Sequence, residues 1–117
     1  MEPYEYESNM ERNEMLRREF KLMAKDLYPQ DAEHTNGEIE RSHNIDVHGY
    51  ILSLSNRIVE HSYDEIAEEY IYERLLWLTK KQYEFEEDPE KYWPFPGYAA
   101  QIEALNAMLD YLDNNDI

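Results

Sequence analysis

Apolar residues recur every three or four positions along most of the chain, the spacing of one face of an α-helix. A first helix is predicted from Ser8, which stands at capping-box spacing from Glu11, to Tyr28, because Pro29 follows. Its predicted inner face consists of Leu16, Phe20, Met23 and Leu27. Residues 1–7 precede the cap and are predicted to be a mobile arm.

Two further helices are predicted in the middle of the chain. Residues 29–44 are mostly polar and contain the turn signal Asn36-Gly37, which predicts a loop. A second helix is predicted over residues 45–61, with Val47, Ile51, Leu54 and Ile58 inward. A second capping-box pair, Ser62 and Glu65, predicts the start of a third helix, which extends to Asp88 because Pro89 follows. Its predicted inner face consists of Ala67, Ile71, Leu75, Leu78 and Phe85.

An aromatic, proline-containing linker precedes the last helix. Residues 92–98 contain two prolines, which exclude a helix, and several aromatic residues, which favour either a lid over the bundle or a contact for a partner. Apolar spacing then predicts a fourth helix with Tyr98, Ile102, Leu105, Leu109 and Leu112 inward. The fold class is therefore all-α: a compact bundle of about four helices, forming a single domain over residues 1–117.

Composition indicates a folded, acidic protein. The chain has a net charge of −16 on 117 residues, yet 42% of its residues are hydrophobic, more than a disordered acidic chain would carry. It contains no cysteine and no apolar run of the roughly 18 residues that a membrane span requires. We expect a cytoplasmic location, and the cytoplasm of a host cell is one form of that expectation.

Motifs for catalysis are scarce. Glu40 and His43 have a spacing used in metal-binding bundles, with His48 and His61 nearby in sequence, but no second Glu-x-x-His motif is present. A glycine-rich phosphate loop and a Gly-x-Ser-x-Gly motif are also absent. We therefore expect no enzyme activity, no metal and no cofactor.

The strongest candidate site is the acidic third helix. Residues 62–93 hold ten carboxylates against four basic side chains, and carboxylates one turn apart lie about 5 to 6 Å from each other, comparable with successive phosphates of a nucleic acid. The helical count also places exposed apolar side chains on the same face. The candidate partner-binding residues are Glu65, Glu68, Glu69, Tyr72, Glu73, Leu76, Glu84, Glu86, Glu87, Asp88 and Glu90.

In charge, size and helix content the chain resembles the DNA-mimic inhibitors that phages and mobile elements use against restriction, CRISPR and other nucleic-acid enzymes of the host. The resemblance implies a phage-encoded anti-defence inhibitor that binds the basic surface of a nuclease or another nucleic-acid-binding protein. The net charge of −16 itself argues against nucleic acid or an acidic membrane as a direct ligand. The alternative is a small helical adaptor or assembly module, including a homodimer, that binds a protein partner through exposed apolar residues.

Overall fold

The structure is a computed structural model that describes residues 3–62, 66–88 and 97–115, with side chains from residue 9 onward. Within these ranges it contains four helices and no strand: α1 (Pro3–Leu27), α2 (Glu38–Glu60), α3 (Ala67–Glu87) and α4 (Tyr98–Asn115). The predicted all-α bundle is therefore confirmed. No helix in the described ranges is both long and apolar enough to cross a membrane.

The first helix begins five residues earlier than its capping box predicts. Pro3 suits the first turn of a helix, where its fixed φ is already helical and its missing N–H leaves no bond unmade. Ser8 therefore lies inside α1. The mobile arm over residues 1–7 stays a prediction, with residues 3–7 in helical conformation.

The second helix also begins earlier than predicted, at Glu38 instead of Ile45. Gly37, at the N-cap, has φ 106°, a backbone conformation that favours glycine. The carboxylate of Glu40 accepts a 2.5 Å hydrogen bond from the Asn36 N–H and so engages a backbone donor beside the helix start. The predicted loop is therefore limited to residues 28–37.

The third helix begins at Ala67, five residues after Ser62. Ser62 is fully buried beyond the end of α2, where its hydroxyl donates a 2.7 Å hydrogen bond to the Val59 carbonyl and accepts a 3.1 Å bond from Asn13 Nδ2 of α1. The N-cap of α3 is Ile66, which makes no side-chain capping bond. Tertiary packing between α1 and α2 therefore uses the serine that the sequence pattern assigns to a cap.

One core is shared by all four helices. The predicted inner faces of α2, α3 and α4 are buried or half-buried as expected, and Leu16, Phe20 and Met23 of α1 are buried too. Leu27 is the exception, because it remains 58% exposed beside an open groove between α1 and α4.

The helices form a flattened body in which α3 lies at one side. α2 packs along both α1 and α4, whereas the main partner of α3 is α4. The described body measures 45 × 38 × 21 Å, and its shortest dimension equals about two helix diameters. With so thin a body, the side of α3 that faces away from the core is open to solvent.

Candidate functional site

The face of α3 directed away from the core carries a row of exposed apolar side chains. Tyr72, Leu76 and Tyr83 are 53%, 71% and 66% exposed, respectively. At 100° per residue they lie within a 40° stripe, roughly opposite the buried residues Ile71 and Leu78. We call this surface the α3 outer face: the row Tyr72, Leu76 and Tyr83 together with the exposed carboxylates of Glu69, Glu73, Glu86 and Glu87, and with exposed Asp88 at the C-cap, just beyond the helix end.

At the N-terminal end of this face, the predicted carboxylates have two different environments. Glu69 and Glu73 are exposed and lie one turn apart. Glu68 is half-buried and pairs with Arg12 of α1, whose Nη1 donates to Glu68 Oε2 at 3.2 Å while its Nη2 contacts the other carboxylate oxygen. Glu68 therefore links α1 to α3, and a partner would have to displace Arg12 to use it.

At the C-terminal end of this face, too, some of the predicted carboxylates are exposed and one contacts a basic side chain. Glu86, Glu87 and Asp88 are exposed, whereas the Glu84 carboxylate lies 3.3 Å from Lys81 Nζ. Glu65 and Glu90, which were also predicted to bind the partner, lie outside the described residues.

Basic side chains lie between the two acidic ends, and the sequence prediction did not include them in the site. Arg74 and Lys81 flank the half-exposed Trp77, with the guanidinium carbon 4.6 Å and the ammonium nitrogen 5.7 Å from the ring centroid. Lys80 is exposed next to Leu76 by the helical count. The helical count places Lys80 within 80° of Tyr72, but it places Trp77, Arg74 and Lys81 about 140° to 180° from Tyr72, away from the apolar row.

The exposed carboxylates of α3 consequently form two clusters. Thirteen residues separate Glu73 from Glu86, which corresponds to about 20 Å along the helix axis at 1.5 Å per residue. Leu76, Lys80 and Tyr83 lie within this interval. On this helix, an apolar centre with acidic ends describes the surface better than a continuous carboxylate row.

Two of the histidines contact side chains of neighbouring elements and do not belong to a metal centre in the described structure. His43 Nε2 lies 2.5 Å from Glu103 Oε2 and connects α2 to α4, while His61 stacks on Tyr70 with ring centroids 4.9 Å apart. Within the part of the chain that the structure describes, no group of three or more potential ligands has the arrangement needed to hold a metal ion.

A groove of about 740 Å³ lies at the connection between α1 and α2. Its lining mixes Lys25 with Asp26 and Asp31, and Asp31 contacts His34, with 2.6 Å between Oδ1 and Nδ1. That hydrogen bond lowers the pKa of Asp31 below its ordinary value. Because both signs of charge line the groove, it favours no single class of ligand.

Comparisons with known proteins do not add a functional assignment. A scan against protein-family models gives no match, and comparisons with curated protein sequences and with solved structures likewise give none. The α3 outer face is therefore the candidate site on physical grounds alone.

Proposed function

We propose that this protein is a non-enzymatic binding module that inserts the α3 outer face into an apolar groove with basic edges on a partner protein. The observation that carries the proposal is the aligned exposure of Tyr72, Leu76 and Tyr83 on one side of a helix whose opposite side is buried. An amphipathic helix with anchors repeated at turn spacing is a common way for one protein to occupy the groove of another.

The two parts of the face would contribute differently to binding. Burial of the apolar row supplies affinity, since aromatic anchors in a desolvated centre commonly dominate an interface. Carboxylates at the ends supply charge complementarity to Lys and Arg of the partner, which raises the association rate and is weakened by salt. The net charge of −16 strengthens that steering toward basic partners.

A second candidate is the acidic inhibitor that mimics DNA. It is favoured by the net charge and by the five exposed carboxylates of Glu69, Glu73, Glu86, Glu87 and Asp88. In this form the partner is the nucleic-acid-binding surface of a nuclease or related enzyme, as expected of a phage-encoded anti-restriction or anti-CRISPR protein. Carboxylates, not apolar residues, would then determine affinity.

Two double variants separate these candidates. Tyr72→Ala with Leu76→Ala shortens the apolar row, and Glu69→Gln with Glu73→Gln neutralises the exposed pair at the N-terminal end. Each immobilised protein is exposed to host-cell lysate, and bound proteins are identified and then titrated in purified form. All of the changed side chains are exposed, so their effect on stability should be small, about 0.5 kcal/mol each.

Matched controls remove the same kinds of group elsewhere. Ile39→Ala shortens an apolar side chain that is 90% exposed on α2, and Glu11→Gln with Glu60→Gln neutralises two exposed carboxylates on α1 and α2. Neither control should change binding to a partner that uses the α3 outer face.

The ranking of the variants decides between the candidates. For the binding module, we expect the apolar pair to weaken binding by about 30-fold, which corresponds to about 2 kcal/mol for a hot spot, with the carboxylate pair having less effect and added DNA none. For the DNA mimic, we expect the carboxylate pair to matter more and DNA to compete. Equal losses in the α3 variants and the controls would contradict both.

A further inference from the structure

A second concave site lies between α1 and α4, and its described lining includes no residue of α3. The groove has a volume of about 340 Å³, within the range typical of small-ligand sites. Met23, Leu27 and Ala107 give it an apolar surface. Leu27 is 58% exposed here although it belongs to the apolar face of α1, so the groove leaves apolar surface available to a ligand.

The groove is also acidic. Glu103 and Asp110 of α4 line it, and among the residues that the structure describes no lysine or arginine does. His43 contacts Glu103 from α2, whereas exposed Asp110 makes no ion pair with any residue in the described ranges. Seven residues separate the two acidic positions, which corresponds to about 10.5 Å along the helix axis.

Two tyrosines also line the groove, together with three asparagines of α4, Asn106, Asn114 and Asn115. The pKa of Tyr28 is raised by burial and, further, by the negative charges of Glu103 and Asp110. Tyr111 is held in place by a 2.5 Å hydrogen bond that its hydroxyl donates to Glu19 of α1. The same negative field that disfavours a phenolate at Tyr28 favours a bound cation, and aromatic rings add to the attraction of ammonium groups.

We propose that this groove binds an aliphatic chain with two ammonium groups, which pair with Glu103 and Asp110 while the methylenes contact Met23, Leu27 and Ala107. This is the chemistry of a free linear polyamine. An anionic ligand would meet uncompensated repulsion, and a purely apolar ligand would desolvate the two carboxylates without replacing their hydrogen bonds. The proposal does not depend on the function assigned to the α3 outer face.

Calorimetric titration of the full chain with linear diamines, from trimethylenediamine to decamethylenediamine, tests the spacing of the two acidic groups. The titrations are run at low salt, where attraction between exposed charges is least screened. Hexylamine serves as a ligand with one ammonium group, and acetyl-Lys-Lys-amide represents the lysines of a protein. We expect the affinity to pass through a maximum at an intermediate diamine length and hexylamine to bind more weakly than hexamethylenediamine.

Asp110→Asn is the informative variant, and Asp113→Asn is its control, because Asp113 is an exposed carboxylate of α4 that does not line the groove. Loss of one partly exposed ion pair should lower the affinity about fivefold in Asp110→Asn and by less than about twofold in Asp113→Asn. Tighter binding of diamines than of the peptide is expected for a polyamine site, and tighter binding of the peptide would overturn the proposal in favour of lysine side chains of a protein.

Equal effects of Asp110→Asn and Asp113→Asn would overturn the proposal, since binding would then reflect only the overall negative charge. An affinity that rises steadily with chain length, irrespective of the second ammonium group, would overturn it as well. The proposal would also be overturned if no heat were detected at any ligand concentration and a competition assay against a fluorescent diamine were negative as well.

Discussion

The buried hydroxyl of Ser62 provides a direct test of how α1 and α2 are joined. Ser62→Ala removes the bond that this hydroxyl donates to the Val59 carbonyl at 2.7 Å and the bond it accepts from Asn13 Nδ2 at 3.1 Å. At about 1 kcal/mol net for each hydrogen bond, the free energy of unfolding should fall by about 2 kcal/mol. For 117 residues, unfolding entropy of about 2.1 cal/mol/K per residue converts this loss into a melting temperature lower by about 8 °C.

A double-mutant cycle isolates the contact between the two helices. Asn13→Ala should cost about 2 kcal/mol as well, because Asn13 is buried and Nδ2 also donates to the Ile58 carbonyl at 3.3 Å. The bond between Asn13 and Ser62 is lost in both single variants, so the double variant should lose about 3 kcal/mol, not the additive 4, and the coupling energy should be about 1 kcal/mol.

Urea unfolding followed by circular dichroism measures these free energies. Ser53→Ala is the matched control, because Ser53 is an exposed serine of α2 and its change should alter stability by no more than about 0.5 kcal/mol. If Ser62 instead capped α3, Ser62→Ala would couple to Glu65→Gln and not to Asn13→Ala. A coupling energy near zero with Asn13 would refute the reasoning.

Three further predictions concern the core, the start of α2 and alkaline pH. Phe20→Ala should lower the free energy of unfolding by about 3–5 kcal/mol in urea unfolding, because the ring is fully buried and packs edge-on against Tyr111 with centroids 5.8 Å apart; a loss below about 1 kcal/mol would contradict the described core. Gly37→Ala should lower the free energy of unfolding by about 1–3 kcal/mol in the same assay because of its φ of 106° alone, since an added Cβ would contact nothing within 4 Å. Gly49→Ala, inside α2, should instead raise the free energy of unfolding by about 0.5–1 kcal/mol. Stability changes of the same sign in the two variants would argue against the assigned start of α2. The hydrogen bond to Glu19 raises the pKa of Tyr111 above its ordinary 10.0. The stability that this bond contributes is therefore present below pH 10 and is lost as pH rises through the folded-state pKa. The difference in unfolding free energy between wild type and Tyr111→Phe should shrink above pH 10, and a difference that grows there would be inconsistent with this bond.

The sequence predicted the inner faces well because burial follows helical periodicity directly. Ala67, Ile71 and Leu78 are buried, and Tyr72 and Leu76 are exposed, as the 100° count requires. Each position depends only on its neighbours along one helix, so no knowledge of the partner helix was needed.

Helix starts were predicted less well because capping residues have other uses. The pair Ser62 and Glu65 has the same spacing as a cap, but spacing alone does not show that the serine hydroxyl is occupied by Val59 and Asn13. Conversely, α2 begins beside a glycine with positive φ and a glutamate that binds backward to Asn36, neither of which is an ordinary cap.

The candidate site was predicted in part. The exposure of the apolar row followed from periodicity, whereas the pairing of Glu68 with Arg12 joins residues 56 positions apart and depends on how α1 lies against α3. Such contacts have no local sequence signal. The groove between α1 and α4 escaped prediction for the same reason, since the exposure of Leu27 depends on where the neighbouring helices leave space.

The packing of α2 against α1 and α4, and of α3 mainly against α4, also shapes the kinetics of folding. α1 and α2 are consecutive helices, as are α3 and α4, so two of the three main interfaces form between neighbours in the chain. Closing short connections costs little entropy, and a fold rich in such local contacts belongs to the class that folds in microseconds to milliseconds. The interface between α2 and α4 spans more of the chain, so we expect the joining of the two helix pairs there to be the step that limits how quickly a newly made molecule completes its core.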